Sequence, residues 1–177
     1  VGLTSTGRQA VELPLSAARN IDNLALLSPN TFSAPGSTGI SSNGSRARNN
    51  NFMIDGTDNN DISVTLRTTP VVPEAVQEFQ IQTNPYNVEF GRNSGAQINV
   101  ITKSGTNRFA FEAWDYYRTA GFNALTNLEK ASDLEDPPKS VRHQLGGLFS
   151  GPIVKDKTFF FGLYQRDTTR TGQILGT

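Results

Sequence analysis

The 177-residue chain is long enough for one globular domain or a small domain plus an appendage, and its 36% of apolar residues can build a core. Charged residues make up only 18%, against roughly a quarter in an average soluble domain, so polarity is carried by Asn, Gln, Ser, Thr and Gly. Lys plus Arg equals Asp plus Glu at 16 each, which leaves no global field to hold a nucleic acid or an anionic bilayer, and with no cysteine there is neither a disulfide framework nor a thiolate metal site.

The chain starts at Val1 without an initiator Met or a basic-then-apolar leader, and so reads as a processed form or an excised piece. Residues 11–15 read as a short extended stretch. Residues 16–28 place Ala17, Ile21, Leu24 and Ser28 at helical spacing, and Pro29 stops that helix at Ser28. Residues 30–51 are rich in Ser, Gly and Asn with little that is apolar, which predicts a loop lying on a surface or in a polar channel. Phe52-Met53-Ile54 is a short strand ended by Asp55-Gly56, a dipeptide suited to positive backbone angles. Ile62, Val64 and Leu66 alternate and could form another short strand, and Pro73-Glu74-Ala75 opens a turn.

Residues 78–83 alternate Phe79 and Ile81 with Gln80 and Gln82, the period of a half-buried strand. Asn84 as N-cap, Pro85 at the first helical position and Gly91 past the end predict a helix of about two turns. Residues 96–103 set Ala96, Ile98 and Val100 on one face of a strand that ends at Ser104-Gly105-Thr106-Asn107. Up to this point the pattern is a small mixed α+β unit, and a boundary falls near Gly105.

Beyond it the chain turns to long alternating strands. Residues 108–119 form the first, with Glu112 interrupting one face and Asp115 the other. In residues 141–153 the odd positions Val141, Leu145 and Phe149 oppose the even positions Arg142, Gln144 and Ser150. After a tight turn at residues 154–157, Phe159, Phe161 and Leu163 share one face, and Phe160, Tyr164 and Arg166 the other. Strands joined by a tight turn on one side and a long loop, residues 120–139, on the other fit an outer-membrane barrel. No apolar run reaches the length of a membrane helix, since those at Leu24 and Phe159 are broken within a few residues.

Three stretches resemble the Oar-like branch of the TonB-dependent outer-membrane receptors. The first, residues 43–61, runs from Asn43-Gly44-Ser45-Arg46 through Phe52-Met53-Ile54-Asp55-Gly56 to Asp61 and looks like the family's plug signature. The second runs from Val72-Pro73-Glu74-Ala75 through Glu89-Phe90-Gly91-Arg92 to Gly95-Ala96-Gln97-Ile98-Asn99 and on to Asn107. The third joins Arg142-His143-Gln144-Leu145-Gly146-Gly147, Gly151-Pro152-Ile153 and residues 155–162.

The resemblance implies an α+β plug domain, a small mixed sheet with short helices over residues 1–105, followed over residues 106–177 by the first antiparallel strands of a truncated transmembrane β-barrel. A barrel of about 22 strands at roughly ten residues each needs more than about 200 residues, and the stretch after Gly105 supplies about three strands. The implied role is gating by the plug of an energy-coupled transporter that imports a scarce nutrient across the outer membrane of a Gram-negative bacterium. Its implied partners are a TonB-type energy-transducing protein acting through a segment upstream of Val1, the rest of the barrel, outer-membrane lipid and a small ligand, with no nucleic acid and no cofactor. Arg46, Arg48, Asn51, Asp55, Gly56, Glu78, Gly91, Arg92, Gly95 and Asn99 are the signature residues singled out for plug–barrel contacts. Arg46 and Arg48 read equally as residues of a solvated loop or, by the resemblance, as partners of barrel carboxylates.

Catalytic constellations lack parts. Lys103-Ser104-Gly105 matches one β-lactamase motif, but no Ser has a Lys three residues on, and neither a nucleophile elbow nor a phosphate-binding loop is present. An enzyme is not expected. The oxygen-rich residues 55–61 depart from a calcium loop at Asn60 and Leu66 and read as a polar turn, and His143 reads as an ordinary strand residue, so no metal site is assigned. Trp114, Tyr116 and Tyr117 read as an interfacial aromatic belt. The alternative function is a secreted, non-catalytic, β-rich ligand-binding or adhesive module.

Overall fold

A computed structural model describes residues 2–13, 19–34, 39–63, 66–84, 93–122 and 140–171. The chain divides into two compact units, Val1–Lys103 and Ser104–Thr177. The helix expected after Asn84 and most of the long loop before Ser140 lie outside the described residues.

The first unit is built on a five-stranded sheet. Its strands in chain order are β1 (Gly2–Thr6), β4 (Asn51–Ile54), β5 (Thr57–Asp58), β6 (Val76–Gln82) and β7 (Gln97–Thr102). They lie side by side as β1-β6-β7-β4-β5, with β4 and β7 parallel and every other pair antiparallel. The alternation of β6 and β7 does what period two requires. Val76, Phe79, Ile81, Ala96, Ile98 and Val100 are buried together with Ile21, Leu24 and Ala25 in one cluster. Each large side chain there contributes about 1.5–3 kcal/mol by leaving water.

Two expectations for the N-terminal part change. The stretch read as extended begins inside a helix, α1 (Gly7–Glu12), with Val11 and Glu12 in its last turn. Thr6 caps it by accepting from the Gln9 amide while the Gln9 side chain accepts from the Thr6 amide at 2.9 Å, a reciprocal capping box whose Thr-x-x-Gln spacing stands in the sequence. The helix read over residues 16–28 is a 3-10 helix, Ile21–Leu27, which ends at Ser28 before Pro29 as expected. Asn20 caps it by accepting from the Asp22 amide at 3.0 Å.

The polar stretch 30–51 is not a bare surface loop. It holds a hairpin of β2 (Thr31–Ser33) and β3 (Ile40–Ser42) and a 3-10 turn Ala47–Asn49. Ile40, Ser41, Ser42, Ala47 and Asn50 are all buried. The strand suggested by Ile62, Val64 and Leu66 is absent among the described residues, and Ile62 stands fully exposed in a turn.

The second unit is an open antiparallel sheet of β8 (Ala110–Thr119), β9 (Ser140–Val154) and β10 (Thr158–Thr171), with β9 in the middle. Asp156 takes the left-handed conformation, φ 62°, in the tight turn between β9 and β10. Asn107 fastens that turn, donating to the Asp156 carboxylate at 2.6 Å and accepting from its amide at 2.8 Å.

Candidate functional site

The signature stretch forms a seam between β4 and β7. Asp55 and Gly56, with φ of 51° and 78°, make the two-residue turn into β5 that a right-twisted hairpin favours. The Asp55 carboxylate then reaches across to β7, accepting from the Thr102 amide at 2.8 Å and its hydroxyl at 2.7 Å. Gly56 donates its amide to the Asn99 side-chain oxygen at 3.3 Å. Asn51 donates its amide to the Ala96 carbonyl at 2.8 Å and accepts from the Asn60 side chain at 2.6 Å. Gly95 is buried where a Cβ would lie 2.6 Å from the Asn49 carbonyl oxygen, so only glycine permits that approach of the backbones. Asn51, Asp55, Gly56, Gly95 and Asn99 are thus brought together as the stitching of one seam.

The other signature residues are placed differently. Glu78 lies on β6, half-buried, with its carboxylate accepting from Gln80. Arg46 precedes the 3-10 turn before β4 and Arg48 lies within it; both are exposed and have no ion-pair partner among the described residues. Gly91 and Arg92 lie outside the described residues.

Sequence reasoning missed the asparagine side chains that do the work of backbone. Asn50, fully buried, donates to the Ile40 carbonyl at 2.6 Å and accepts from the Ala96 amide at 2.9 Å, joining β3 to the start of β7. Asn60 accepts from the Phe52 amide at 3.0 Å, and Asn59 pairs reciprocally with the Thr69 backbone at 2.9 and 3.0 Å. The run of Asn from position 43 to 60 was the available signal. An amide carries donor and acceptor at once, so it satisfies irregular backbone without bringing charge. The carboxylates read for calcium are used in the same way. Asp58 accepts from the Asn60 amide at 2.9 Å and Asp61 from the Ser63 amide at 2.7 Å, both local Asx turns.

Two ion pairs inside the first unit were also missed. Arg19 donates to Glu74 at 2.6 Å with the glutamate side chain fully buried. Arg67 meets Asp22 at 3.1 Å beside a cavity of about 180 Å³ that Asn20, Ile40 and Phe52 also line. Burial pushes the Asp22 carboxyl above the ordinary aspartate range, outweighing the pull of Arg67 and of the Asn20 hydrogen bond.

In the second unit the register sorts every side chain of the sheet. Phe111, Ala113, Asp115 and Tyr117 of β8 share a face with Val141, His143, Leu145 and Phe149 of β9 and with Phe160, Tyr164, Arg166 and Arg170 of β10. This face is open, and apolar toward the tight turn: Phe111, Leu145, Phe149 and Tyr164 are all exposed, and Phe109, Phe149 and Phe160 cluster with ring centroids 5.2 to 6.5 Å apart. The reverse face carries Leu148, Phe161 and Leu163 toward the tight turn, Trp114 and Tyr116 midway, and Glu112, Arg118, Arg142, Gln144, Gln165 and Asp167 among them. There Arg142 and Gln144 both hold the Asp167 carboxylate, Gln144 at 2.9 Å, and Trp114 donates to Gln165 at 3.2 Å. The expected alternation of β9 and β10 is as observed.

The aromatic belt read from Trp114, Tyr116 and Tyr117 is corrected. Alternation puts Tyr117 on the open face and Trp114 and Tyr116 on the other, where Trp114 is buried over Gly146, whose missing side chain makes room for the indole. Tyr117 meets His143 edge-on at 5.9 Å, and His143 contacts the Asp115 carboxylate at 2.6 Å.

The family described as "Outer membrane beta barrel domain" matches residues 101–176. The TonB-dependent transporter Oar of Myxococcus xanthus is 34% identical over 163 residues, 87% of this chain and 15% of that protein. Among solved structures, the siderophore receptor PirA from Acinetobacter baumannii aligns with a TM-score of 0.67 at 20% identity, over 93% of this chain and 24% of that one. The outer membrane transporter YddB from Escherichia coli aligns with a TM-score of 0.71 at 16% identity, over 95% of this chain and 26% of that one. These two likenesses speak to the fold, and the chain spans well under a third of each relative's length. A mixed-sheet unit followed by an antiparallel sheet of long alternating strands, in a sequence this near to Oar, belongs to the TonB-dependent outer-membrane receptors.

Proposed function

We propose that residues 1–105 are the plug and residues 106–177 the opening barrel strands of an energy-coupled transporter, and that the plug gates uptake of a scarce small nutrient. The outer membrane of a Gram-negative bacterium is its location, and it is not an enzyme. The observation that carries the gating reading is the way the first unit is held. Its apolar cluster lies between the five-stranded sheet, α1 and the 3-10 helix, whereas the signature seam at β4 and β7 is stitched by Asn and Asp side chains to backbone. Each such bond contributes only about 0.5–1.5 kcal/mol net, because water can replace either partner. A seam bound this way can rearrange piecemeal in a hydrated lumen while the apolar cluster behind it stays packed. Arg46 and Arg48, exposed and without an acidic partner among the described residues, fit the role of charge-assisted contacts to carboxylates of the barrel wall. Energy would arrive through a TonB-type protein engaging a segment upstream of Val1.

The test uses the full-length receptor in planar bilayers and in cells. Deleting the first unit should convert a closed channel into a large open pore, and collapsing the proton-motive force should abolish concentrative uptake while leaving surface binding intact. A pore no larger without the first unit, or uptake indifferent to energy supply, would overturn the reading. Screening iron chelates, vitamins, glycans and peptides in the same uptake assay identifies the nutrient.

A further inference from the structure

The open face of the second unit changes character along its length. Next to the tight turn it presents Phe109, Phe111, Phe149 and Ile153, all exposed. Toward the end that leads into the long connection, Arg166 sits opposite Leu145, and His143 lies between Tyr117 and Thr168 in register, with Arg170 opposite Val141. Tyr117, His143, Leu145, Arg166, Thr168 and Arg170 line a depression of about 370 Å³ on this face.

The charges of β10 are treated differently on its two faces. On the reverse face Asp167 is held by Arg142 and Gln144. On the open face the sheet carries one acidic residue, Asp115, and it is engaged by His143. Arg166 and Arg170 have no carboxylate partner among the described residues. A cation on a lipid-facing strand costs about 2–4 kcal/mol at mid-depth and about 0–1 near the interface, so its place is at the rim. Short turns of such barrels face the periplasm and long connections the exterior, which sets this rim in the outer leaflet. The two arginines, four positions apart on one strand, stand about 13 Å from each other.

We propose that this depression binds the phosphate-bearing headgroup of an outer-leaflet glycolipid. Arg166 and Arg170 take its phosphates, the Tyr117 and Thr168 hydroxyls hydrogen-bond its polar core, and its acyl chains lie along Leu145 and Phe149. Charge complementarity and an adjoining apolar strip on the same face select such a lipid over a free anion, which has no use for the strip. The assignment rests on the proposal above that this sheet is barrel wall.

The experiment uses the full-length receptor extracted from outer membranes in mild detergent, with retained glycolipid measured by native mass spectrometry. The double variant Arg166→Gln/Arg170→Gln should retain about tenfold less than the unaltered protein, and the Lys/Lys double variant should retain an intermediate amount, since lysine keeps the charge but loses the fork. Dephosphorylated glycolipid should not rebind. Equal retention in the unaltered and Gln/Gln proteins overturns the site, as does full displacement by millimolar inorganic phosphate, which would mark a free-anion site. Heat-modifiable migration on gels verifies that each variant keeps a folded barrel. A Phe149→Cys variant separates the two layers of the argument. If its thiol is shielded from a water-soluble maleimide in intact membranes while the Gln/Gln protein retains as much glycolipid as the unaltered one, only the lipid site fails, and if the thiol labels freely, the lipid-facing assignment fails with it.

Discussion

The two units use the same period-two alternation toward opposite ends. In the first, Phe79, Ile81 and Ile98 turn inward and leave water. In the second, Phe111, Leu145, Phe149 and Tyr164 turn outward and stay exposed, while Gln144 and Ser150 on the reverse face are buried. Alternation therefore specifies a sheet with two unlike faces without saying which face is the inside, and the surrounding solvent decides that.

Substitutions in the full-length receptor can break or sharpen this contrast. The largest effect is expected inside the first unit. Phe79→Ala should destabilise it by about 3–5 kcal/mol, whereas Phe111→Ala should lose far less. Glu74→Ala should fall in a similar range, about 3–5 kcal/mol, because it removes the fully buried carboxylate that Arg19 binds at 2.6 Å. Hydrogen exchange of the β6 amides measures both, and unchanged protection in either variant would refute the corresponding burial argument.

A charge tests the second unit more directly. Phe149→Arg should cost about 2–4 kcal/mol if it lies at the bilayer midplane, and Gln165→Arg on the reverse face much less. Urea unfolding from lipid vesicles compares the pair, and equal losses would contradict the division of faces. A smaller change is expected from Gly95→Ala, about 1–3 kcal/mol, as the added methyl pushes the Asn49 carbonyl and the Asn50 amide apart. It should appear as faster exchange confined to the start of β7.

The smallest effect follows pH. Burial raises the Asp22 carboxyl, so the folded first unit holds this proton more tightly than the unfolded chain does. Asp22 therefore favours folding most below the ordinary aspartate range, and that contribution is lost as pH rises through the raised value. Asp22→Asn should flatten the dependence of local exchange on pH across mildly acidic buffers. A slope equal to that of the unaltered receptor would count against it.

Much of this was legible in the sequence because it rested on local rules. The strand at Phe52, the Asp55-Gly56 turn, the faces of β6 and β7 and the alternation of β9 and β10 follow from spacing and turn chemistry. What was not legible rested on distant partners. The capping box at Thr6 was written plainly but lay in a stretch too short to show periodicity. The buried role of Asn50 depends on β3 and β7 meeting, and Arg19 finds Glu74 across 55 positions. Composition pointed to polar loops, because an asparagine that replaces a backbone partner inside a fold cannot be told from one facing water until the chain is closed around it. The candidate contacts followed the same divide. Five of the signature residues fell into one seam, while Arg46 and Arg48 stand exposed with no ion-pair partner among the described residues.

β1 is five residues long and bonded along one side only, to β6. Tension drawn from the chain's beginning would therefore open this strand like a zipper, rung by rung from Gly2, and the four strands behind it would stay paired. In the plug proposed above, a modest, graded pull would free a border without melting the sheet, and the border could pair again when the load is gone.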